Sequence, residues 1–329
     1  MKEYEIRPKE LLERFLELSR EDAKKYFDAK TRTAIPCPAC LSEKYDSVFS
    51  KNGFDFVECV QCSTIFLSPR PPLSQFENFY INSPSSEFLA NIFFPVVEES
   101  RRQNIFEPRV TRILKMCEAN GFRPNSVMDI GPGPGIFLEE FKKKQPDSLL
   151  YGIEPSPRFS ELCKKKGINV LETLVEDADE WEGKADLLTC FEVIEHAHKP
   201  CEFVKSLYKL LKKNGMIVLT GLGGQGFDIQ TLWNNSKSVN PPQHINFISI
   251  EGFEILFKNA GFDNVEVTTP GKLDIDIVLN AIKEDPSIDI GRFAKILLGR
   301  NGDTLKDFQN FLVKHKLSSH CWVSARKPE

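Results

Sequence analysis

Short apolar runs alternate with amphipathic segments from residue 126 onward. The apolar runs predict strands over residues 127–130, 149–153, 170–171, 186–190 and 216–220. Between them, apolar residues recur three or four positions apart, which predicts helices over 137–144, 158–166 and 202–213. Because continuous apolar strands alternate with helices, we expect an α/β fold in which helices cover both faces of a parallel sheet.

The pattern divides the rest of the chain into further segments. Leucines and a phenylalanine at helical spacing predict a helical arm over 1–33, and three prolines close a cysteine-bearing unit over 34–72. Residues 73–125 are predicted to form a helical linker that is rich in phenylalanine. The α/β domain then takes up 126–271 and 320–329, interrupted by a helical insertion over 272–319.

Composition and charge narrow the class of protein. The 329 residues carry a net charge of −4, which does not resemble the basic surface of a nucleic-acid-binding protein. The charged N-terminus lacks the apolar core of a signal peptide, and no apolar run is long enough to span a bilayer. We therefore expect a cytoplasmic protein with neither a membrane nor a nucleic acid as partner, and leave its oligomeric state open.

The stretch Asp129–Gly135, which reads DIGPGPG, lies between a predicted strand and a predicted helix. Glycines there, at 131, 133 and 135, allow a tight turn and a close approach of the backbone to a ligand. The next strand ends at Glu154, whose carboxylate can accept hydrogen bonds from two ribose hydroxyls. NAD is the competing ligand, but its fingerprint requires glycine where this chain has Ile136.

The segment Asp186–His196 resembles the motif that follows the fourth strand in class I S-adenosylmethionine (SAM)-dependent methyltransferases, especially ubiquinone-pathway O-methyltransferases. The Lys212–Ile217 turn is also similar to that family, and the resemblance covers about residues 101–270. It implies a Rossmann-like, seven-stranded sheet that ends with strands at 265–268 and 321–325. It also implies SAM as cofactor, bound by Asp129, Gly131, Gly133, Gly135, Glu154, Glu176, Asp177, Cys190 and Phe191.

Two Cys-x-x-Cys pairs lie within the cysteine-bearing unit. Cys37 and Cys40 are separated by 18 residues from Cys59 and Cys62, a spacing that is typical of four-thiolate zinc sites. Four thiolates complete a tetrahedron and leave no open position, so we predict a structural zinc ion. The alternative is a ribbon that has lost its metal.

A zinc ribbon followed by a methyltransferase domain resembles sugar-nucleotide C-methyltransferases and a group of poorly defined bacterial methyltransferases. In the sugar enzymes, a tyrosine before the cofactor domain and a Glu-His pair near its end are functional. Tyr80 fits the first position loosely, and Gln243-His244 replaces the pair. The resemblance implies a small-molecule or saccharide-linked methyl acceptor.

Two histidines are candidate catalytic groups, because each follows a strand at the edge of the sheet where α/β folds bind ligands. His244 follows the fifth strand in a segment stiffened by two prolines, and His196 follows the fourth. Imidazole is the side chain best suited to remove a proton near neutral pH. Each histidine has a structural alternative as a loop anchor. Some relatives also assign a divalent metal to the positions of Glu192, Glu195 and His196.

These observations favour a SAM-dependent methyltransferase. The first alternative is a non-catalytic protein of the same fold whose ribbon docks a protein or RNA partner. The second is an NAD-dependent oxidoreductase, which Ile136 disfavours.

Overall fold

The computed structural model of the protein describes residues 2–329. The chain forms two compact units, each assembled from separated segments. The first contains the residues up to Val96 together with Gly221–Phe253 and Val267–Trp322. The second contains Val97–Thr220, Glu254–Glu266 and Val323–Glu329. The domain boundaries predicted from sequence remain a prediction.

Helices and strands follow one another along the chain, with short one-turn helices between some of them. The strands are β1 Tyr45–Lys51, β2 Phe54–Cys59, β3 Ile65–Leu67, β4 Ser126–Ile130, β5 Leu149–Ile153, β6 Asn169–Leu171, β7 Ala185–Phe191, β8 Leu211–Leu222, β9 Asn246–Phe247, β10 Asp263–Thr268 and β11 His320–Arg326. The α-helices are α1 Glu3–Ile6, α2 Lys9–Tyr26, α3 Leu73–Asn82, α4 Pro84–Phe88, α5 Phe94–Arg101, α6 Glu107–Ala119, α7 Ile136–Lys144, α8 Pro157–Lys165, α9 Pro200–Leu210, α10 Phe227–Leu232, α11 Ile250–Ala260, α12 Asp274–Glu284, α13 Arg292–Leu298 and α14 Gly302–Lys314.

The larger sheet has seven strands in the order β10-β11-β8-β7-β4-β5-β6. Its central pairs β7–β8, β4–β7, β4–β5 and β5–β6 are all parallel. Val127 and Met128 of β4 have no exposed surface, in keeping with a strand covered on both faces. The predicted α/β fold with a seven-stranded sheet is therefore confirmed.

The smaller sheet belongs to the first unit and has the order β1-β2-β3-β9. The first three strands form the antiparallel ribbon of the cysteine unit. The fourth comes from much later in the chain, with Ile65 paired to Phe247 and Phe66 to Asn246. Two paired positions carry no periodicity, so the addition of β9 to the ribbon could not be predicted from the sequence.

Helix boundaries differ from the predicted ones at two places. The N-terminal arm is broken at Pro8, because proline has no N–H to donate and restricts the residue before it. The helix predicted to reach Lys213 ends at Leu210, and the strand begins at once. Leu211 is fully buried, so burial in the sheet outweighs its preference for a helix.

The insertion between β10 and β11 is helical, as predicted, and consists of α12, α13 and α14. Its apolar residues form a core of their own with α10, in which Leu232, Val278 and Leu312 are buried. Within residues 2–329, no helix has both the length and the hydropathy needed to cross a membrane.

Candidate functional site

The glycine loop, defined as residues 129–135, joins β4 to α7 in the second unit. Gly131 has φ +65°, and a Cβ atom there would lie 2.9 Å from Cγ2 of Val193. Gly135 has φ +76°, and its Cβ would lie 2.9 Å from Sγ of Cys163. Both positions exclude a side chain by conformation and by contact. At Gly133 a Cβ atom would meet nothing within 4 Å, so the predicted close approach of the backbone to a ligand is possible there.

Asp129 is the first residue of the glycine loop and lies in strand β4 of the larger sheet. Its side chain is almost completely buried and accepts a hydrogen bond of 2.7 Å from Oγ1 of Thr189 on the neighbouring strand β7. Burial raises the pKa of Asp129 to about 7, although the hydrogen bond and the Arg109 guanidinium oppose this shift. A cationic ligand beside Asp129 would favour loss of the proton from this carboxyl group, because a nearby positive charge stabilises the ionised form.

Glu154 ties the end of β5 back to the glycine loop. Its Oε2 accepts the N–H of Gly133 at 3.0 Å, and its Oε1 accepts the N–H of Ser156 at 2.9 Å. Each carboxylate oxygen has a second lone pair, so two acceptor sites remain for a ligand that carries two hydroxyls. Burial raises the pKa of Glu154 to about 7.

Arg109 contacts two residues of the predicted site and was not singled out from the sequence. Its guanidinium lies 4.3 Å from the centroid of the Phe191 ring and 3.5 Å from Oε1 of Glu192. Glu192 has φ +56° and also accepts a 2.7 Å hydrogen bond from Oγ1 of Thr220. Arg109 lies on the buried face of α6 with Ile113 and Cys117. An arginine in an apolar stripe was the signal available in the sequence.

The remaining predicted cofactor residues lie at strand ends of the second unit. Cys190 is fully buried, so only its backbone can face a ligand. Phe191 is half-buried and packs edge-to-face on Phe137 at a centroid distance of 4.8 Å. Glu176 and Asp177 lie in a one-turn helix after β6 and are exposed. Their contacts with a cofactor remain a prediction.

His196 ends a one-turn helix, Ile194–His196, after β7 and is half-buried. The Arg109 guanidinium lies beside the Glu192 carboxylate, whereas the possible ligand atoms of Glu195 and His196 lie within 4.8 Å of each other, so a divalent metal at these positions remains a prediction. A catalytic role for His196 remains a prediction.

The four cysteines of the ribbon converge in the first unit. Sγ of Cys37 lies 3.6 Å from Sγ of Cys62, and Sγ of Cys40 lies 3.5 Å from Sγ of Cys59. All four sulfur atoms lie within 4.8 Å of one another. In a tetrahedral site with Zn–S bonds of about 2.3 Å, sulfur atoms are separated by about 3.8 Å. The thiol set therefore fits a zinc ion, whose role would be structural.

His244 lies in the first unit within the His244 loop, defined as residues 233–247. Its Nδ1 is 2.6 Å from the carbonyl oxygen of Ser238. A carbonyl can only accept, so Nδ1 carries the proton of the neutral ring and Nε2 carries the lone pair. The backbone thereby selects the tautomer whose Nε2 can take up a proton.

Gln243 anchors this loop in a buried polar network instead of facing a substrate or the imidazole. Its Oε1 accepts hydrogen bonds from Ser19 at 2.7 Å and from Asn240 at 3.1 Å, and its Nε2 lies 3.4 Å from Oγ of Ser85. Tyr80 donates a 3.4 Å hydrogen bond to the Gln243 carbonyl. The tyrosine singled out by resemblance is thus adjacent to the loop that carries His244.

Arg70 holds the other side of the His244 loop. The side chain is 1% exposed and donates through Nη2 to Oδ1 of Asn246 at 2.7 Å. The Leu67 N–H donates to the carbonyl of Ile245 at 2.9 Å, next to the β3–β9 pair. The ribbon therefore fixes the backbone immediately after His244.

Comparison with known proteins agrees with this geometry. A family model described as a methyltransferase domain matches residues 99–267, about half of the chain. The chain belongs to this methyltransferase family. The predicted resemblance to class I SAM-dependent methyltransferases is confirmed, and so is the fold that it implied.

The chain is 32% identical over 125 residues to the ubiquinone biosynthesis O-methyltransferase of Erwinia tasmaniensis, and the matched region covers 36% of this chain and 47% of the relative. It is 32% identical over 148 residues to the tRNA U34 carboxymethyltransferase of Sulfurimonas denitrificans, which covers 43% and 49%. The chain thus spans about half the length of these curated relatives.

Among solved structures, the chain is similar to the plantazolicin methyltransferase BpumL in complex with a monoazolic desmethylPZN analog and SAH. The TM-score is 0.51 at 14% identity, over 77% of this chain and 94% of that chain. A likeness at this level of identity supports the fold alone.

Proposed function

We propose that the protein transfers a methyl group from SAM to a hydroxyl, or another group that must lose a proton, on a small-molecule or saccharide-linked acceptor. The observation that carries the proposal is the pair of buried carboxylates, Asp129 and Glu154, at the ends of adjacent parallel strands beside the glycine loop. We expect the glycine loop to receive the methionyl part of SAM and Glu154 the ribose.

SAM, when bound, supplies a methyl group activated by a sulfonium. The chain's own residues then have positioning tasks, since in-line displacement depends strongly on orientation. Arg109 is expected to neutralise the amino-acid carboxylate or to hold Glu192 in its left-handed conformation. Its ring contact and its ion pair both fix the guanidinium in place.

His244 is the proposed general base. Nε2 takes the proton of the acceptor as the new bond to carbon forms, while Nδ1–H remains hydrogen-bonded to the Ser238 carbonyl. The imidazolium that results has two N–H donors, and the carbonyl oxygen stabilises one of them. The contact of Nδ1 with the Ser238 carbonyl, which can only accept a hydrogen bond, supports this role.

Replacement of His244 by Asn tests the proposal. Turnover should fall by roughly 10²- to 10⁴-fold with SAM affinity unchanged, because general-base catalysis contributes about this much. The pH dependence of the rate near the imidazole pKa should disappear. A rate per folded molecule within a few fold of the parent enzyme, with lower stability, would instead show that His244 only anchors the loop.

A second candidate function is a docking role for the ribbon. Leu41 and Val60 lie in the two cysteine knuckles and are 59% and 62% exposed. Exposed apolar side chains on a rigid knuckle favour a protein contact. Absence of turnover over a broad acceptor panel, together with partner capture that Leu41→Ser and Val60→Ser remove, would favour this function. A cytoplasmic location remains a prediction under both proposals.

A further inference from the structure

The tip of the insertion, defined as residues 291–317, exposes large apolar side chains. Phe293 and Ile296 on α13 are 77% and 58% exposed, and Phe311 on α14 is 48% exposed. Phe311 packs against the His315 ring at a centroid distance of 4.4 Å with the two rings tilted by 40°. Three such residues within two short helices form an apolar patch of the kind that marks an interaction surface.

Phe293 and Ile296 are not part of the core beneath them, whereas Phe311 stacks on Phe308 at the edge of that core. Leu298 and Leu312 are buried there, and Ala294 and Phe308 pack against the same cluster. Phe293 and Ile296 are three positions apart and therefore share the opposite, outer face of α13. The tip therefore has an inner face that packs on the core of the insertion and an outer apolar face that is exposed.

Charge distinguishes the tip from the rest of the chain. Residues 291–317 contain two acids, Asp303 and Asp307, and six basic side chains, a net charge of +4 in a chain of net charge −4. The bases are Arg292, Lys295, Arg300, Lys306, Lys314 and Lys316. Of these six bases, only Lys295 forms an ion pair within residues 2–329, and its partner is Asp289. Five of the six bases of the tip therefore form no ion pair within the described residues.

We propose that this tip binds an anionic lipid surface. Phenylalanine and isoleucine enter the headgroup boundary, while lysine and arginine meet the negative charge around them. A nucleic acid would pair the cations but would gain nothing from Ile296, because aliphatic side chains do not stack on bases. The expectation that no membrane is a partner considered only spanning segments, and a surface contact requires none.

Vesicle sedimentation of the full-length protein tests the proposal, using phosphatidylcholine alone and phosphatidylcholine with about 30 mol% phosphatidylglycerol. We expect binding to the anionic vesicles only, weakened when salt is raised to about 0.5 M, since salt screens surface charge. Phe293→Ser combined with Ile296→Ser should lower the partition coefficient by about tenfold or more. Arg292→Glu combined with Arg300→Glu should remove the preference for anionic lipid.

Ile81→Ser is the matched control, because Ile81 is 79% exposed on α3 of the same unit but lies outside the tip. It should bind vesicles like the parent protein, and all variants should keep the same SAM affinity. Vesicle binding by the tip does not depend on methyl transfer, so a failure of the proposed activity would not affect this proposal. Equal binding to both vesicle types, no binding, preferential binding of an RNA oligonucleotide, or a Phe293-dependent dimer that ignores vesicles would each overturn the proposal.

Discussion

The glycine loop and the His244 loop are built in opposite ways. The glycine loop is contiguous, and its partner Glu154 directly follows the next strand, β5. The His244 loop is held from three distant segments, through Ser19 on α2, Ser85 on α4 and Arg70 after β3. The glycine loop and its partner are close together in the sequence, so a sequence pattern can predict them. The His244 loop depends on tertiary structure, so distant changes should affect it most.

The largest expected effect comes from breaking the ribbon. Cys59→Ser removes one thiolate of the proposed zinc site, and β3 then loses the register that fixes β9 beside His244. A displacement of about 1 Å can cost 10²-fold in rate, so we expect turnover to fall at least about that much. SAM affinity should stay within about threefold, because the hydrogen bonds of the glycine loop are local.

Elemental analysis, calorimetry with SAM and a turnover assay measure this. Cys201→Ser is the control, since Cys201 is half-buried outside the cluster. If Cys59→Ser lost zinc yet kept full turnover, the ribbon would not position His244. Parent protein purified without chelator and found to lack zinc would contradict the metal assignment.

The second prediction concerns Glu154, the partner of the glycine loop. Glu154→Ala removes the acceptor for two backbone N–H groups and for the ribose hydroxyls. Hydrogen bonds to charged groups contribute roughly 1.5 to 3 kcal/mol each, so SAM affinity should fall by at least about tenfold. Glu154→Gln keeps the shape and should lose less. Tight NAD binding by the parent protein without SAM binding would contradict the cofactor.

The third prediction concerns pH. Burial raises the pKa of both Asp129 and Glu154 to about 7, so each is partly protonated at neutral pH without ligand. SAM carries cationic groups and hydroxyl donors that favour the ionised carboxylates. Its affinity should therefore rise about tenfold between pH 6 and pH 8.

Stability of the ligand-free protein should change with the opposite sign. A carboxyl whose folded pKa lies above its unfolded value binds more protons when folded, so the free energy of unfolding falls as pH rises toward 7. Asp228, buried beside Asp274, adds to this because burial raises its pKa to about 7. Thermal melts at several pH values, with and without SAM, measure both trends. A SAM-induced shift in Tm that shrank with rising pH would contradict the assignment.

The smallest expected effect comes from one anchor of the His244 loop. Gln243→Ala removes the acceptor of two buried hydrogen bonds, one donated by the Ser19 hydroxyl and one by the Asn240 amide. The free energy of unfolding should fall by about 1–3 kcal/mol, and turnover by a few fold, with SAM affinity unchanged. The exposed Gln103→Ala is the control and should change neither. A loss of SAM affinity in Gln243→Ala would refute the separation of the two loops.

The sequence could predict features formed by neighbouring residues, but not those formed by contacts between distant segments. The strands of the larger sheet, the glycine loop and the cysteine pairs are short-range patterns, and the structure contains each sheet strand and brings the four thiols together. The pairing of β3 with β9 joins residues far apart in the chain, so no local pattern carries it. Arg109 was missed because an arginine at one helix position is normally a surface residue.

The late arrival of β9 has a consequence for synthesis of the protein. Thr64 in the ribbon and Ser249 after β9 hydrogen-bond across 185 residues of chain. At about 5 to 20 residues per second, roughly 10 to 40 s pass on the ribosome between the two ends of that contact. The zinc ligands emerge long before their fourth strand, so during that interval the nascent ribbon has an open edge.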